Sequence, residues 1–313
     1  MTQYLTSRLL ALVPVMLVVT TVVFVLARLT PGDPVRVLLG EDARPEQVQM
    51  LRRHLGLDAP VPVQFGLWLS RAVRGDLGVS LFNRLPVTRT IKQHIGATIM
   101  LSLMAIAVAL CIGIPIGITS AVYRNSWIDQ ASLGLAMLGA AIPSFWLGLA
   151  LIVVFAVNLG WLPSSGFRPP GEGLWTSIRH LILPALALGL PNSALIIRFV
   201  RSSLLDVIAT DYIRTARAKG VAERGVIFHH AVRNALVQIL TVVGLTFAAL
   251  MGGAVVTETV FSIPGIGQLV VSSVLRRDYP IIQGVTLVAA ATYVLINLMV
   301  DVLYFVVDPR VKY

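Results

Sequence analysis

The sequence predicts an all-α integral membrane protein with six transmembrane helices and a small helical segment outside the bilayer. Three observations carry this. Charged residues make up 13% of the 313 residues, about half the share of a soluble domain. Mean hydropathy is +0.83, and 56% of the residues are hydrophobic. The apolar residues are also gathered into uncharged runs, most of them near the roughly 20 residues of helix that a hydrocarbon core requires.

The first run, 9–27, follows Tyr4 and Arg8. A secretory leader would end in a small-x-small cleavage site, but "ARLTPGDP" follows, so the run reads as a retained first helix. Next come 95–123 and then 131–167, which is long enough for a span and part of a loop. The run 181–197 is shorter, with Arg198 and Arg201 placed to snorkel at its end. The runs 235–257 and 279–300 complete six. Pro14, Pro115, Pro143, Pro184 and Pro191 fall in or near them, which membrane bundles tolerate. Small residues such as those of "GIPIGITSA" and "LMGGAVV" allow close helix packing.

The region 29–94 is the one soluble-looking piece. Pro45 can open a helix running to about Leu55, and a second helix fits 61–74, stopped by "RGDLG". Little core of its own is expected there. The net charge of +10 could suit nucleic acid, but the positive-inside bias of membrane proteins accounts for it, and no nucleic-acid partner is expected. Under that rule Arg8, Arg124, the segment 204–234 and the tail "DPRVKY" are cytoplasmic, as are both termini. The segment 29–94 is then extracytoplasmic, along with Arg168, Arg179, Arg276 and Arg277.

The chemistry of an enzyme is missing. No G-x-x-x-x-G-K-[ST] loop occurs, and the lysines are Lys92, Lys219 and Lys312. No H-E-x-x-H is present, and no nucleophile elbow surrounds the serines of "NSWIDQ" or "LPSSGF". The pair His229–His230 reads as solvated or packed loop. Cys111 is the single cysteine, which excludes an internal disulfide and reads as a small core or lipid-facing residue. Ionisable groups inside the runs are few, Asp301 and Glu258 being the main cases, and both read as structural. A self-contained secondary transporter or channel, the alternative reading, would need more of them.

The stretch "RTARAKG", 214–220, stands between apolar runs. If 206–220 is one helix, Ile208, Tyr212, Ala216 and Gly220 share a face that narrows to small residues, and Asp211 can pair with Arg214. Such a face fits either a groove on a partner or an anionic lipid surface.

"DYIRTARAKGVAERGVIFHHAVRN" resembles the cytoplasmic coupling segment of ABC importer permeases, most closely the oligopeptide, dipeptide, nickel and glutathione branch. "LTPGDPV", "LGLDAPVPVQF", "RGDLGVS", "GGAVVTETVFSIPGIGQLVVSSVLRRDYPIIQG" and "NLMVDVLYFVVDPRVKY" extend the resemblance along nearly the whole chain. The family pattern is Glu-Ala-Ala, three residues, then Gly. Here Arg214-Thr215-Ala216 and Gly220 stand in those places, Val237-Gln238 replaces a common proline, and Ile263 stands where an aromatic is common. The resemblance implies a single permease domain over 1–313 in the bacterial inner membrane. It implies a coupling helix whose residues Asp211, Tyr212, Arg214, Thr215, Ala216, Arg217, Ala218, Lys219 and Gly220 meet an ATPase. The implied partners are a second homologous permease subunit forming a heterodimer, two ABC ATPase subunits, an extracytoplasmic substrate-binding protein and membrane lipid. No cofactor is implied in this chain, ATP being hydrolysed by the partner subunits. Short peptides are the implied cargo, with glutathione, a nickel chelate or another small solute also compatible.

Overall fold

Proline and glycine set where most of the helices begin and end. The computed structural model describes residues 2–29, 34–40, 43–54 and 56–307. The chain divides into two compact units, Met1–Gly96 with Gly265–Val294, and Ala97–Pro264 with Leu295–Tyr313. Two long helices, α5 (Val87–Val122) and α13 (Tyr279–Val307), contribute to both. Among the described residues the only strand-type pairing is one antiparallel bridge, Val79 to Pro86.

In the first unit, α1 (Thr2–Leu29) carries the first predicted run, and Val13–Leu26 is its described apolar part. A short α2 (Pro34–Leu39), not expected from the sequence, follows. The two helices expected in the polar segment are α3 (Pro45–His54) and α4 (Val61–Val73). Pro45 is the first residue of α3, and Pro60 caps α4 with Pro62 second in it, all places where a missing N–H costs no helical hydrogen bond. Gly75, at φ +83, turns the chain out of α4. The segment 29–94 has little core of its own and shares one with the far end of the sequence. Leu77, Val87 and Ile91 are buried with Ile281 and Val285, so the segment closes over residues from the far end of the sequence. Asp278, 4% exposed, fastens this arrangement: Ser80 donates its hydroxyl to one carboxylate oxygen, and the Leu81 N–H donates to the other at 3.2 Å.

The second unit is a helical bundle around α5, α8 (Leu174–Ile208) and α11 (Arg233–Val260). Gly113 and Gly117 of α5 lie against Ile196 and Val200 of α8, and a Cβ on either glycine would approach those side chains to 2.7 Å. Both pairs have i,i+4 spacing, so two branched side chains seat over two bare backbone positions. The prolines Pro14, Pro115, Pro184 and Pro191 stay inside continuous helices.

Pro143 behaves differently, and 131–167 is not one straight span. It forms α6 (Trp127–Ala141) and α7 (Ser144–Leu151), which bend by 94° and continue into a π-helical turn, Ile152–Asn158. The residue before a proline is forced out of the helical region, and Ile142 sits at ψ 121°. Among the described residues, four helical stretches are long and apolar enough to cross a membrane, Val87–Val122, Leu174–Ile208, Glu223–Gly252 and Tyr279–Leu303, or five if the bent pair counts as one.

Gly189 of α8 lies close against the backbone of α5. A Cβ there would lie 2.6 Å from the Ala105 carbonyl oxygen, which cannot rotate away as a side chain can. Gly189→Val is expected to cost about 1–3 kcal/mol through overpacking, read as a lower melting temperature of the detergent-purified protein. Gly134→Ala, with nothing within 4 Å of the added carbon, is the matched control and should melt like the parent.

Candidate functional site

The segment expected to meet a partner is not one helix. The chain leaves α8 at Ile208, and Thr210 is extended at φ −73°, ψ 151°. A separate helix, α9 (Asp211–Ala218), begins there. The proposed stripe of Ile208, Tyr212, Ala216 and Gly220 is therefore broken. The face that α9 buries carries Ile213, fully covered, and Ala216, 7% exposed, at i,i+3 spacing. Both join the core of the second unit with Leu204, Val226 and Ala231. Ala216 is small because it packs inside its own chain.

Gly220 has its own reason. The Val221 N–H donates to the Ala216 carbonyl at 3.3 Å, and the Gly220 N–H donates to that of Arg217 at 2.9 Å. This is a Schellman stop, whose turn residue must take the left-handed conformation, and Gly220 stands at φ +76. The rest of the predicted set, Asp211, Tyr212, Arg214, Thr215, Arg217, Ala218 and Lys219, is exposed on α9 and its end.

Three contacts hold this surface in place. Asp211 and Arg214 pair at 3.1 Å as expected, but both are so exposed that the pair adds little stability. Arg217 makes a two-pronged bond to Glu223, at 2.6 and 3.1 Å, tying α9 to the short α10 (Glu223–Gly225). The bonded Glu223 carboxylate raises the Arg217 pKa. The Tyr212 hydroxyl bonds Nδ1 of His230, and the two rings meet edge to face with centroids 5.5 Å apart. His230 and His229 belong to a second π-helical turn, Val226–Val232, which leads into α11; the segment is not a loop.

Sequence reasoning missed the ion pair that supports this region. Arg201 does not snorkel. Its guanidinium donates twice to Asp129, at 2.7 and 2.8 Å. The same carboxylate accepts from the Ser120 hydroxyl at 2.6 Å and from the Asn125 N–H at 2.9 Å. One buried carboxylate thus joins the end of α5, the turn into α6, and α8. The local signal was present: Ser126 caps α6 by accepting from the Asp129 N–H, a Ser-x-x-acid start ahead of an apolar run. Glu258, fully buried near the end of α11, accepts from the Thr98 hydroxyl at 2.6 Å. Cys111 is exposed on α5. Among the described residues no group of three or more His, Cys, Asp or Glu side chains is placed to hold a metal ion.

Arranged this way, α9 can offer a fixed polar surface to another molecule. The comparisons with known proteins bear on what that molecule is. Residues 113–313 match the model of the binding-protein-dependent transport system inner membrane component, and 1–103 match that of its N-terminal part. The chain is 44% identical to the dipeptide transport system permease protein DppB of Alkalihalophilus pseudofirmus, with both chains covered in full. It is also 44% identical to the glutathione transport system permease protein GsiC of Pectobacterium atrosepticum, again with full coverage of both. Among solved structures it resembles an inward-facing form of the MetNI methionine ABC transporter, with TM-score 0.59 and 19% identity over 71% of this chain and 97% of that one. That likeness shows the helical fold. The chain belongs to the family of binding-protein-dependent transport system inner membrane components, the permeases of ABC importers.

Proposed function

We propose that this chain is one half of the translocation pathway of an ATP-driven importer of short peptides, and that α9 is its coupling helix. The observation that carries the coupling role is the outward face of α9. Its cations Arg214 and Lys219 are exposed, while its opposite face is anchored in the chain's own core. A helix so seated passes a push on its outer face to the π-helical turn Val226–Val232 that it packs against, and through that turn to α11. The peptide cargo rests on the relatives named for dipeptide and glutathione transport.

In this reading the spans are α1, α5, the bent α6–α7 pair, α8, α11 and α13, with both termini cytoplasmic. A second, homologous permease completes a heterodimer in the inner membrane. Two ATPase subunits bind the cytoplasmic side, and a substrate-binding protein delivers cargo to 31–94 and 259–282. Closure of the ATPases on ATP moves α9 and biases the bundle between two access states, which requires α9 to interact differently in each.

The test is co-purification in mild detergent followed by an ATPase assay in lipid. A second permease and ATPase subunits should accompany the chain, and the binding protein should stimulate hydrolysis. A chain that purifies without partners and transports solute on an ion gradient would replace this reading with a secondary carrier.

A further inference from the structure

The first unit contains a cavity of about 530 Å³, within the range of about 300–1,000 Å³ usual for small-molecule sites. Among the described residues, two buried donors on its lining have no hydrogen-bond partner: the indole N–H of Trp68 and the amide nitrogen of Gln283. Gln283 is 4% exposed. Buried donors left unpaired are rare and costly, which makes two on one cavity a pointer to what fills it. Trp68 has a donor and no acceptor, so only an acceptor can satisfy it. Arg71 lies one turn along α4 from Trp68, on the same lining, and adds a positive charge.

The site is held in shape before any ligand arrives. The Trp68 ring packs against Phe24, centroids 6.0 Å apart, and against Phe65, 6.4 Å apart. Neighbouring Gln64 does not meet the need, since its amide nitrogen donates to the Leu57 and Ala59 carbonyls, at 3.2 and 2.7 Å. Asp76, the one carboxylate among the described lining residues, accepts from the Gly78 N–H at 2.9 Å through one oxygen, leaving the other for a cation.

We propose that this cavity binds a short peptide, its C-terminal carboxylate taken by Trp68, Gln283 and Arg71 and its ammonium facing Asp76. The inference rests on the peptide-import reading and adds to it a permease site, separate from the delivery protein. An anion alone would be repelled by Asp76, and a cation alone would leave both donors unmet. A free peptide carries both charges, and the volume suits a few residues.

The experiment uses the assembled importer in phosphatidylcholine nanodiscs without its binding protein, with radiolabelled dialanine as probe and its C-terminal amide as competitor. Saturable binding of dialanine is expected, with the amide much weaker. Trp68→Phe keeps the ring and deletes the N–H; it should weaken dialanine binding about tenfold, the worth of one hydrogen bond to a charged group, and leave the amide's affinity little changed. Gln283→Met should act in the same direction. Co-purification of all subunits checks that each variant is folded. Absence of saturable binding, or unchanged binding in both variants, overturns the proposal. So does native mass spectrometry showing a retained phospholipid that Trp68→Phe releases. Binding-protein-driven uptake of dialanine is measured in parallel: uptake with no Trp68 effect on binding removes the cavity site and keeps the importer, whereas binding without any uptake removes the importer reading and keeps the site.

Discussion

Replacing Arg201 with alanine is expected to destabilise the permease by about 3–5 kcal/mol, because it strands a buried carboxylate. The Asp129 side chain is 3% exposed and that of Arg201 is 21% exposed. After Arg201→Ala, Asp129 keeps only the Ser120 and Asn125 donors and no cation. The reverse change, Asp129→Ala, should cost less, since the Arg201 head already reaches solvent in part and can turn toward it. The double substitution should then be milder than the sum of the two, because neither charge is left alone in the bundle. Thermal unfolding of the four proteins in one detergent checks this. Additive losses, or an Asp129 variant worse than the Arg201 one, would sink the account.

Tryptophan at Ala216 and tryptophan at Gly220 should fail in different ways, although the two positions stand four residues apart in one motif. Ala216 is buried beside Ile213 in the same core as Val226 and Ala231, so Ala216→Trp drives an indole into packed space. A loss of about 1–3 kcal/mol is expected, together with loss of uptake as α9 is lifted from its seat. At Gly220 nothing lies within 4 Å of an added carbon. There the cost is backbone strain at φ +76, roughly 1–2 kcal/mol, with α9 fraying at its end. Gly220→Asn, which tolerates that conformation, should recover much of the loss, whereas Ala216→Ser should be nearly silent. Insertion, melting temperature and uptake of each variant separate the cases. Rescue at Gly220 by alanine as complete as by asparagine would count against the Schellman assignment.

Much of the architecture was legible because apolar runs are long and local. The positions of α3 and α4 followed from proline and glycine, and a close approach of α5 to some neighbour was legible in "GIPIGITSA", though not that the neighbour is α8. The break before α9 was also legible, in hindsight: Thr210 followed by Asp211 is a helix start, and reading a single stripe through it mistook two helices for one. The Asp129–Arg201 pair was not legible, since its partners lie 72 residues apart and nothing local to Arg201 separates pairing from snorkelling. Nor was the pairing of Ser80 with Asp278, whose two residues are 198 apart. In the segment 206–220 the sequence reading put Ala216 on the face offered to a partner, whereas α9 buries it; which side of α9 faces inward depends on what the rest of the bundle offers it.

The π-helical turn at Val226–Val232 has a bearing on how such a segment is aimed. A π turn carries one residue more than the α-helix it interrupts, and each residue of an α-helix is worth about 100° of rotation. The chain entering α11 is therefore dialled round by that angle relative to an unbroken helix. His230 sits within that turn and bonds Tyr212, so the surplus residue also fixes where the imidazole that meets α9 stands. A homologue one residue shorter here would keep the same motif letters and point them elsewhere.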